Sequence, residues 1–260
     1  MLKEQERQQV IKAVAETKPL ILDEMKRSKV TVKGAADYVT NVDLAVQEHL
    51  KRRLAELFPR IGMIAEEKGG DLERTPDGTY WILDPIDGTT NLIHHYGLSA
   101  VALALYEKGE ITLGVVYNPF YDELFYGAKG CGAYLNGEPI HVSSVPELKD
   151  AVISYGSAPY EKEYADELFP LFCRIFKGCA DFRRSGSAEL DMCYVACGRV
   201  EGYLERNLKP WDYSAGSLIL EEAGGCVCGW KGERLSYLTN ADVLCCAGQF
   251  KDELLGMIKG

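Results

Sequence analysis

The chain has 260 residues, with 29 basic against 39 acidic side chains for a formal charge of −10, and it is 47% hydrophobic. That length buries a substantial core, and the composition is ordinary for a globular protein. The negative charge disfavours nonspecific attraction to nucleic acid or to an anionic membrane, so an anionic substrate would need a local source of positive charge.

The start, MLKEQERQQV, is too polar for a signal peptide, and no run is apolar for long enough to cross a bilayer. The expectation is a cytoplasmic protein with neither a membrane nor a direct nucleic-acid partner. In chain order, about the first 27 residues read as helix, with Val10, Val14, Ile21 and Met25 near helical spacing and a bend at Pro19. A second helix is capped by Thr40, carries Val46, Leu50, Leu54 and Leu57 on one stripe, and stops before Pro59.

The period then changes. Segments 61–67, 80–84, 98–119 and 123–142 read as successive strands, with Lys108-Gly109 and Asn136-Gly137 as hairpin turns. From about residue 150, strands at 151–155, 180–185 and 201–205 alternate with helices at 161–176, 188–197 and 212–223, which implies a layered α/β half. With no Gly/Ser linker, residues 1–260 read as one unit, its halves 1–150 and 151–260 sharing an extensive interface. The nine cysteines are odd in number and scattered, so they read as reduced, buried thiols. Cys226-Val227-Cys228 and Cys245-Cys246 lack zinc-ribbon spacing, and the histidines are His49, His94, His95 and His141.

The decisive stretch is WILDPIDGTTN, residues 81–91. An apolar strand runs into Asp84 and Asp87, and two carboxylates so close resist joint ionisation unless something positive sits between them. Oxygen-only donors favour a hard cation such as Mg²⁺ or Mn²⁺. Pro85 fixes the backbone, Gly88 permits a sharp turn that frees the next amides for an anion, and Thr89 and Thr90 add hydroxyls, which together describe a phosphate site. A plain turn would account for DGTTN but not for an acid at both ends of Pro-Ile.

Other acids have blander readings. Glu66 and Glu67 end the run IGMIAEE and could be solvated; Asp43 fits a capping box with Thr40; Asp212 precedes a helix in KPWDYSAGSLILEEAGG and could be its N-cap. RRSGSAELD puts Ser185, Gly186 and Ser187 at a helix start beside Arg183 and Arg184, as a cap or an anion contact. His94 and His95 read as ordinary loop residues, with the entrance of a site as the alternative, and Tyr155 with the polar segment 156–164 could shape a pocket.

DPIDGTTN together with WDYSAGSLILEEAGG resembles the two signatures of the inositol monophosphatase family, in the Mg²⁺-dependent, lithium-sensitive phosphatase superfamily that includes fructose-1,6-bisphosphatase. VTNVD, IAEE, GCGAYLNGEPIHVS and RRSGSAELDMCYVACGRVEGYLE extend the similarity over nearly the whole chain. The resemblance implies a five-layered αβαβα sandwich and a homodimer. It implies metal ligands at Glu66, Asp84, Asp87, Asp212 and the Ile86 carbonyl for two or three Mg²⁺ per subunit, with Mn²⁺ an alternative.

It further implies that Glu66 and Thr89, with Asp43 behind Thr89, hold and activate an attacking water. Gly88 and Thr89 would receive the phosphate; Asp87, Gly186, Ser187, Ala188 and Glu205 would meet the hydroxyls of a phosphorylated polyol or sugar, and Lys33 would lie nearby. The activity implied is phosphate monoester hydrolysis, foremost of inositol 1-phosphate. Fructose-1,6-bisphosphatase, a dual inositol monophosphatase/fructose bisphosphatase, histidinol-phosphate phosphatase and 3′,5′-bisphosphate nucleotidase stay open. From a different class, some bacterial relatives act with the transcription machinery, and a non-catalytic regulatory role is the alternative.

Overall fold

The computed structural model describes residues 1–25, 29–34, 37–67 and 74–260. The N-terminal segment forms two helices rather than one bent helix, α1 (Glu4–Ala15) and α2 (Lys18–Met25). The break comes before Pro19: Thr17 turns its hydroxyl back to the Val14 carbonyl at 2.7 Å. Pro19 then falls in the first turn of α2, where a missing N–H leaves no helical bond unmade. Residues 26 and 27 of the expected helix lie outside the described residues. A hairpin that the sequence pattern did not suggest, β1 (Val30–Gly34) with β2 (Asp37–Thr40), leads into α3 (Asn41–Leu57). Thr40 caps α3 as expected, its hydroxyl accepting from the Val42 amide at 3.1 Å.

Next come β3 (Gly62–Ala65), β4 (Thr79–Asp87), a single helical turn α4 (Thr89–Ile93), β5 (Ala100–Glu107), β6 (Glu110–Asn118), β7 (Glu123–Ala128), β8 (Ala133–Leu135) and β9 (Glu138–Pro139). They form a seven-stranded sheet in sequence order, with β3 and β4 parallel and every other pair antiparallel. Both expected turns are present, with Lys108 and Gly109 at φ 51° and 92° and Asn136 and Gly137 at φ 52° and 89°. Positive φ at both central residues matches the twist of the flanking strands.

The C-terminal half supplies β10 (Val152–Tyr155), α5 (Ala165–Gly178), β11 (Asp181–Arg183), α6 (Ala188–Ala196), β12 (Gly202–Leu208), α7 (Ser214–Glu222), β13 (Gly225–Gly229), β14 (Ala241–Ala247) and α8 (Lys251–Lys259). Their five-stranded sheet runs β11-β10-β12-β14-β13, parallel from β11 through β12 and antiparallel beyond.

Alternation along β4 shows how the layers stack. Trp81 and Leu83 join Val10, Val14, Val46 and Leu50 in a core under α1 and α3. Tyr80 and Ile82 face the opposite way, toward α6 and α7 between the two sheets. A third core, including Ile153, Leu171, Leu204 and Leu254, lies under α5 and α8. The result is the expected five-layered αβαβα sandwich, and each fully buried Leu or Ile contributes about 1.5–3 kcal/mol relative to exposure. The middle layer fits closely: a Cβ on Gly114 of β6 would stand 2.5 Å from the Ala215 carbonyl of α7. Glycine there lets α7 lie against the sheet and fixes the segment that leads into it.

All nine cysteines are free, but only Cys193, Cys228, Cys245 and Cys246 are buried. Cys131 and Cys173 are exposed, which corrects the expectation of uniformly buried thiols: Cys131 sits in the turn after β7, and Cys173 lies on the solvent side of α5. Among the described residues, no helix is long and apolar enough to cross a membrane.

Candidate active site

A cavity of about 230 Å³ opens where the C-terminal end of β4 meets the N-terminus of α6 and the turn before α7. Glu66, Asp84, Asp87 and Asp212 all line it, although they come from segments scattered over the chain. Asp84 and Asp87 are almost fully buried, and Asp84 spends one oxygen on the Ile86 amide at 2.9 Å, a local bond that holds its χ1.

Asp87 reaches across to α6. It accepts from the Ser187 hydroxyl at 2.6 Å and from the Ala188 and Glu189 amides at 3.3 and 2.8 Å. These amides are the donors that a helix start leaves without partners, so a carboxylate belongs there. Ser187 is also the N-cap of α6, as the sequence suggested. Asp212 does not cap α7. It closes the 3-10 turn Pro210–Asp212, accepting from the Lys209 amide at 2.8 Å, because Tyr213 at φ −142° breaks the run before α7 begins at Ser214.

Thr89 and Asp43 form the back wall. The Thr89 hydroxyl lies 3.1 Å from Asp43 Oδ1 and 3.0 Å from the Ile86 carbonyl, and its one proton can serve only one of them. Asp43 is wholly buried, and its other oxygen accepts from the Thr40 amide and hydroxyl at 2.9 and 2.5 Å. The capping role and the link to Thr89 therefore belong to different oxygens of one carboxylate. Gly88, at φ 85°, turns the chain into α4. Most side chains would be strained there.

The substrate-side residues also gather at the cavity: Gly88, Gly186, Ser187, Ala188 and Glu205 line it. Glu205 is fixed by the Tyr203 hydroxyl at 2.6 Å and the Ala158 amide at 3.0 Å. Lys33 pairs with the Glu67 carboxylate and stands 3.9 Å from Glu66, while the Glu67 backbone is held by Gln47, whose side-chain oxygen accepts from the Glu67 amide at 3.2 Å and whose side-chain nitrogen donates to the Glu67 carbonyl at 3.3 Å. His94 and Arg184 line the cavity, whereas Tyr155 packs on Phe172 with ring centroids 4.5 Å apart.

The electrostatics of this acid cluster are distinctive. Burial, then the neighbouring Glu66, Asp87 and Asp212, pushes Asp84 well above the usual carboxylate range. Burial raises Asp87 to about 6 in spite of its hydrogen bonds, and Glu66 to about 7 although Lys33 opposes the shift. Asp212 is raised for the same first reason, with Glu66 next. Charged carboxylates this close destabilise one another unless protons or cations intervene.

A family model described as the inositol monophosphatase family matches residues 3–258. The chain belongs to the inositol monophosphatase family. Among relatives, Nus factor SuhB of Escherichia coli (strain K12) is 41% identical over 207 residues, covering 80% of this chain and 77% of that one. An inositol monophosphatase from Anabaena superposes with a TM-score of 0.86 at 34% identity, covering 97% of this chain and 94% of that one. A protein described as an IMPase/NADP phosphatase, complexed with Mg²⁺ and phosphate, gives a TM-score of 0.84 at 26% identity over 93% and 90% of the two chains.

The donor set of this family member fits a hard divalent cation. All four acids present oxygen only, burial and mutual repulsion disfavour their charged forms, and Lys33 and Lys209 offset this only for Glu66 and Asp212. Among the described residues, no three His, Cys, Asp or Glu side chains are already closed around a single ion position.

Sequence reasoning missed Glu189, Asp191 and Asn91. Glu189 is wholly buried, and its carboxylate accepts from the Ala215 and Gly216 amides at the start of α7. Asp191 is buried against Ser185, whose hydroxyl donates to it at 2.6 Å. Asn91 donates to the Leu98 and Ser185 carbonyls at 2.6 and 2.9 Å, tying the DGTTN turn to the α6 loop. In the sequence the two acids look like ordinary first-turn residues of an amphipathic helix; their burial arises only when α6 is sandwiched between two sheets.

Proposed function

We propose that this chain is a phosphate monoester hydrolase that uses a divalent cation, with Mg²⁺ first and Mn²⁺ as the alternative, and that inositol 1-phosphate is its foremost substrate. The observation that carries the reading is the convergence of Glu66, Asp84, Asp87 and Asp212 on one cavity whose wall also holds Gly88, Thr89 and the Thr89–Asp43 pair. Glu66, Asp84, Asp87, Asp212 and the Ile86 carbonyl would hold two or three cations. Bound there, these supply the positive charge that neutralises the phosphate and lowers the pKa of water.

The protein's own residues do the rest. Gly88 and Thr89 direct backbone amides at the phosphate from the N-terminus of the α4 turn. The Thr89 hydroxyl, with Asp43 behind it, accepts a proton from the attacking water and passes its own to Asp43. Burial raises the Asp43 carboxyl, chiefly through lost solvation, which increases its affinity for that proton. Attack is in line, directly on phosphorus, and no residue of the wall need be phosphorylated. Glu205, Asp87 and the segment Gly186, Ser187 and Ala188 orient the hydroxyls of the substrate. Charge neutralisation also resolves how a protein of net charge −10 accepts an anion.

The test is phosphate release with and without Mg²⁺ for the native protein and Asp84→Asn. An undiminished Mg²⁺-dependent rate in the variant would sink the assignment. A panel of inositol 1-phosphate, fructose 1,6-bisphosphate, histidinol phosphate and adenosine 3′,5′-bisphosphate ranks the substrates.

A second reading is supported by the similarity to Nus factor SuhB: association with the transcription machinery, alongside or instead of hydrolysis. Stoichiometric retention of RNA polymerase on the immobilised protein supports it, and clean failure to retain polymerase counts against it.

A further inference from the structure

Away from the cavity, the β13–β14 ladder brings three thiols together. Cys226 stands directly opposite Cys246 in the antiparallel register, and Cys228, two residues along β13, shares the face of Cys226. Cys228 and Cys246 belong to the core under α5 and α8, with Cys226 packed at its edge, whereas Cys245 points the other way, into the core between the sheets. Of the three grouped thiols, Cys226 is the one that is only half-buried.

The register sets the Cys228 and Cys246 thiols beside the Cys226 sulfur, and Lys251 at the start of α8 supplies a nearby positive charge. The two thiols first, and the ammonium after them, hold the Cys226 thiol well below the ordinary cysteine range, while the same neighbours push Cys228 and Cys246 up. A partly exposed, electropositive thiol next to a second, buried one is the arrangement of a reactive cysteine with a resolving partner.

We propose that Cys226 and Cys246 are a peroxide-reactive dithiol, with Cys226 attacking and Cys246 resolving. The Cys226 thiolate attacks one oxygen of hydrogen peroxide, the O–O bond breaks, and the departing hydroxide takes up the proton that Cys226 had released, leaving a sulfenic acid and water. The Cys246 sulfur then attacks the Cys226 sulfur; the S–O bond breaks, and hydroxide leaves with the Cys246 proton as a second water. The thiols lose two electrons to form the disulfide, and the peroxide gains them. Directly opposed residues in an antiparallel pair have Cα atoms about 4.5–5.5 Å apart, inside the disulfide range. Residues two apart on one strand are separated by about 6.6 Å, at the far end of that range, which selects Cys246 over Cys228 as the partner.

This inference is independent of the phosphatase reading. The full chain is treated with hydrogen peroxide, and its disulfides are mapped by peptide mass spectrometry before and after reduction by thioredoxin. The expected result is a Cys226–Cys246 bond formed first and reversed by the reductant, with the loss of two thiols slowed about tenfold in Cys226→Ser. Trapping with dimedone should label Cys226 in Cys246→Ser. Oxidation of the exposed Cys131 and Cys173 ahead of Cys226 overturns the proposal, as does a Cys226–Cys228 bond. The mapping on native protein carries the test even where a variant folds poorly.

Discussion

Glu189 donates its backbone amide to Asp87 at 2.8 Å and directs its own carboxylate at the start of α7, where the Ala215 amide donates at 3.1 Å. One residue thereby joins the acid at the end of β4 to the helix that follows Asp212. The two contacts use different parts of Glu189, so the side chain can be altered while the bond to Asp87 remains.

Removing that carboxylate leaves two buried amides without an acceptor, at about 1–3 kcal/mol each. Glu189→Gln keeps one acceptor oxygen, and its amide nitrogen opposes the second donor. Stability is expected to fall in the order Glu189, Gln, Ala in urea unfolding. An Ala variant as stable as the native protein would show that α7 does not depend on this contact.

Thr89 tests the proposed proton path. Thr89→Ala is expected to lower kcat by about a hundredfold or more, since positioned proton transfer contributes that much. Thr89→Ser retains a hydroxyl within reach of Asp43 and is expected to recover most of the loss. Equal rates for the Ala and Ser variants, measured at saturating Mg²⁺, would remove the hydroxyl from the mechanism.

Burial lifts Asp191 to about 8 from 3.8, against hydrogen bonds from Ser185 and Ser154. The folded chain thus keeps a proton on Asp191 across a window in which the unfolded chain has released it. Its stabilising contribution is full below pH 3.8 and is lost as the pH rises through about 8. Asp191→Asn, which carries no such proton, is expected to flatten the decline of unfolding free energy between these limits, by at most about 1.4 kcal/mol per pH unit. Superimposable pH profiles for the two proteins would refute the assignment.

Gly156 leaves room for Glu205: a Cβ there would stand 1.8 Å from the Glu205 carboxyl carbon. Gly156→Ala is expected to displace Glu205, raising KM for inositol 1-phosphate about tenfold with a smaller change in kcat. For a phosphate ester without neighbouring hydroxyls, KM should stay level. A collapse of kcat on both substrates would point to general damage of the cavity instead.

Much of this site was legible because its chemistry is written in short, ordered motifs. Asp84, Asp87, Gly88 and Thr89 are contiguous, and the acid–Pro–Ile–acid spacing has no other economical explanation. Asp212 read locally as a helix cap and was pointed to as a site acid only by the family resemblance; the structure sets it at the cavity, closing a 3-10 turn that Pro210 starts, which a sequence pattern does not separate from a helix cap. Glu189 and Asp191 were hidden because their burial depends on a layer above and a layer below α6, which no local period reports. The cysteines were misjudged for a related reason, since composition says that a thiol suits a core but not which side of α5 Cys173 occupies.

The cavity wall is supplied by β4 and α4 from one sheet's side and by α6, β12 and the turn before α7 from the other's. A chain emerging during synthesis therefore carries Asp84 and Asp87 long before Asp212 exists. The cavity is complete only when both sheets are in place, so a cation proposed to bind there would report that the two sheets have been brought together.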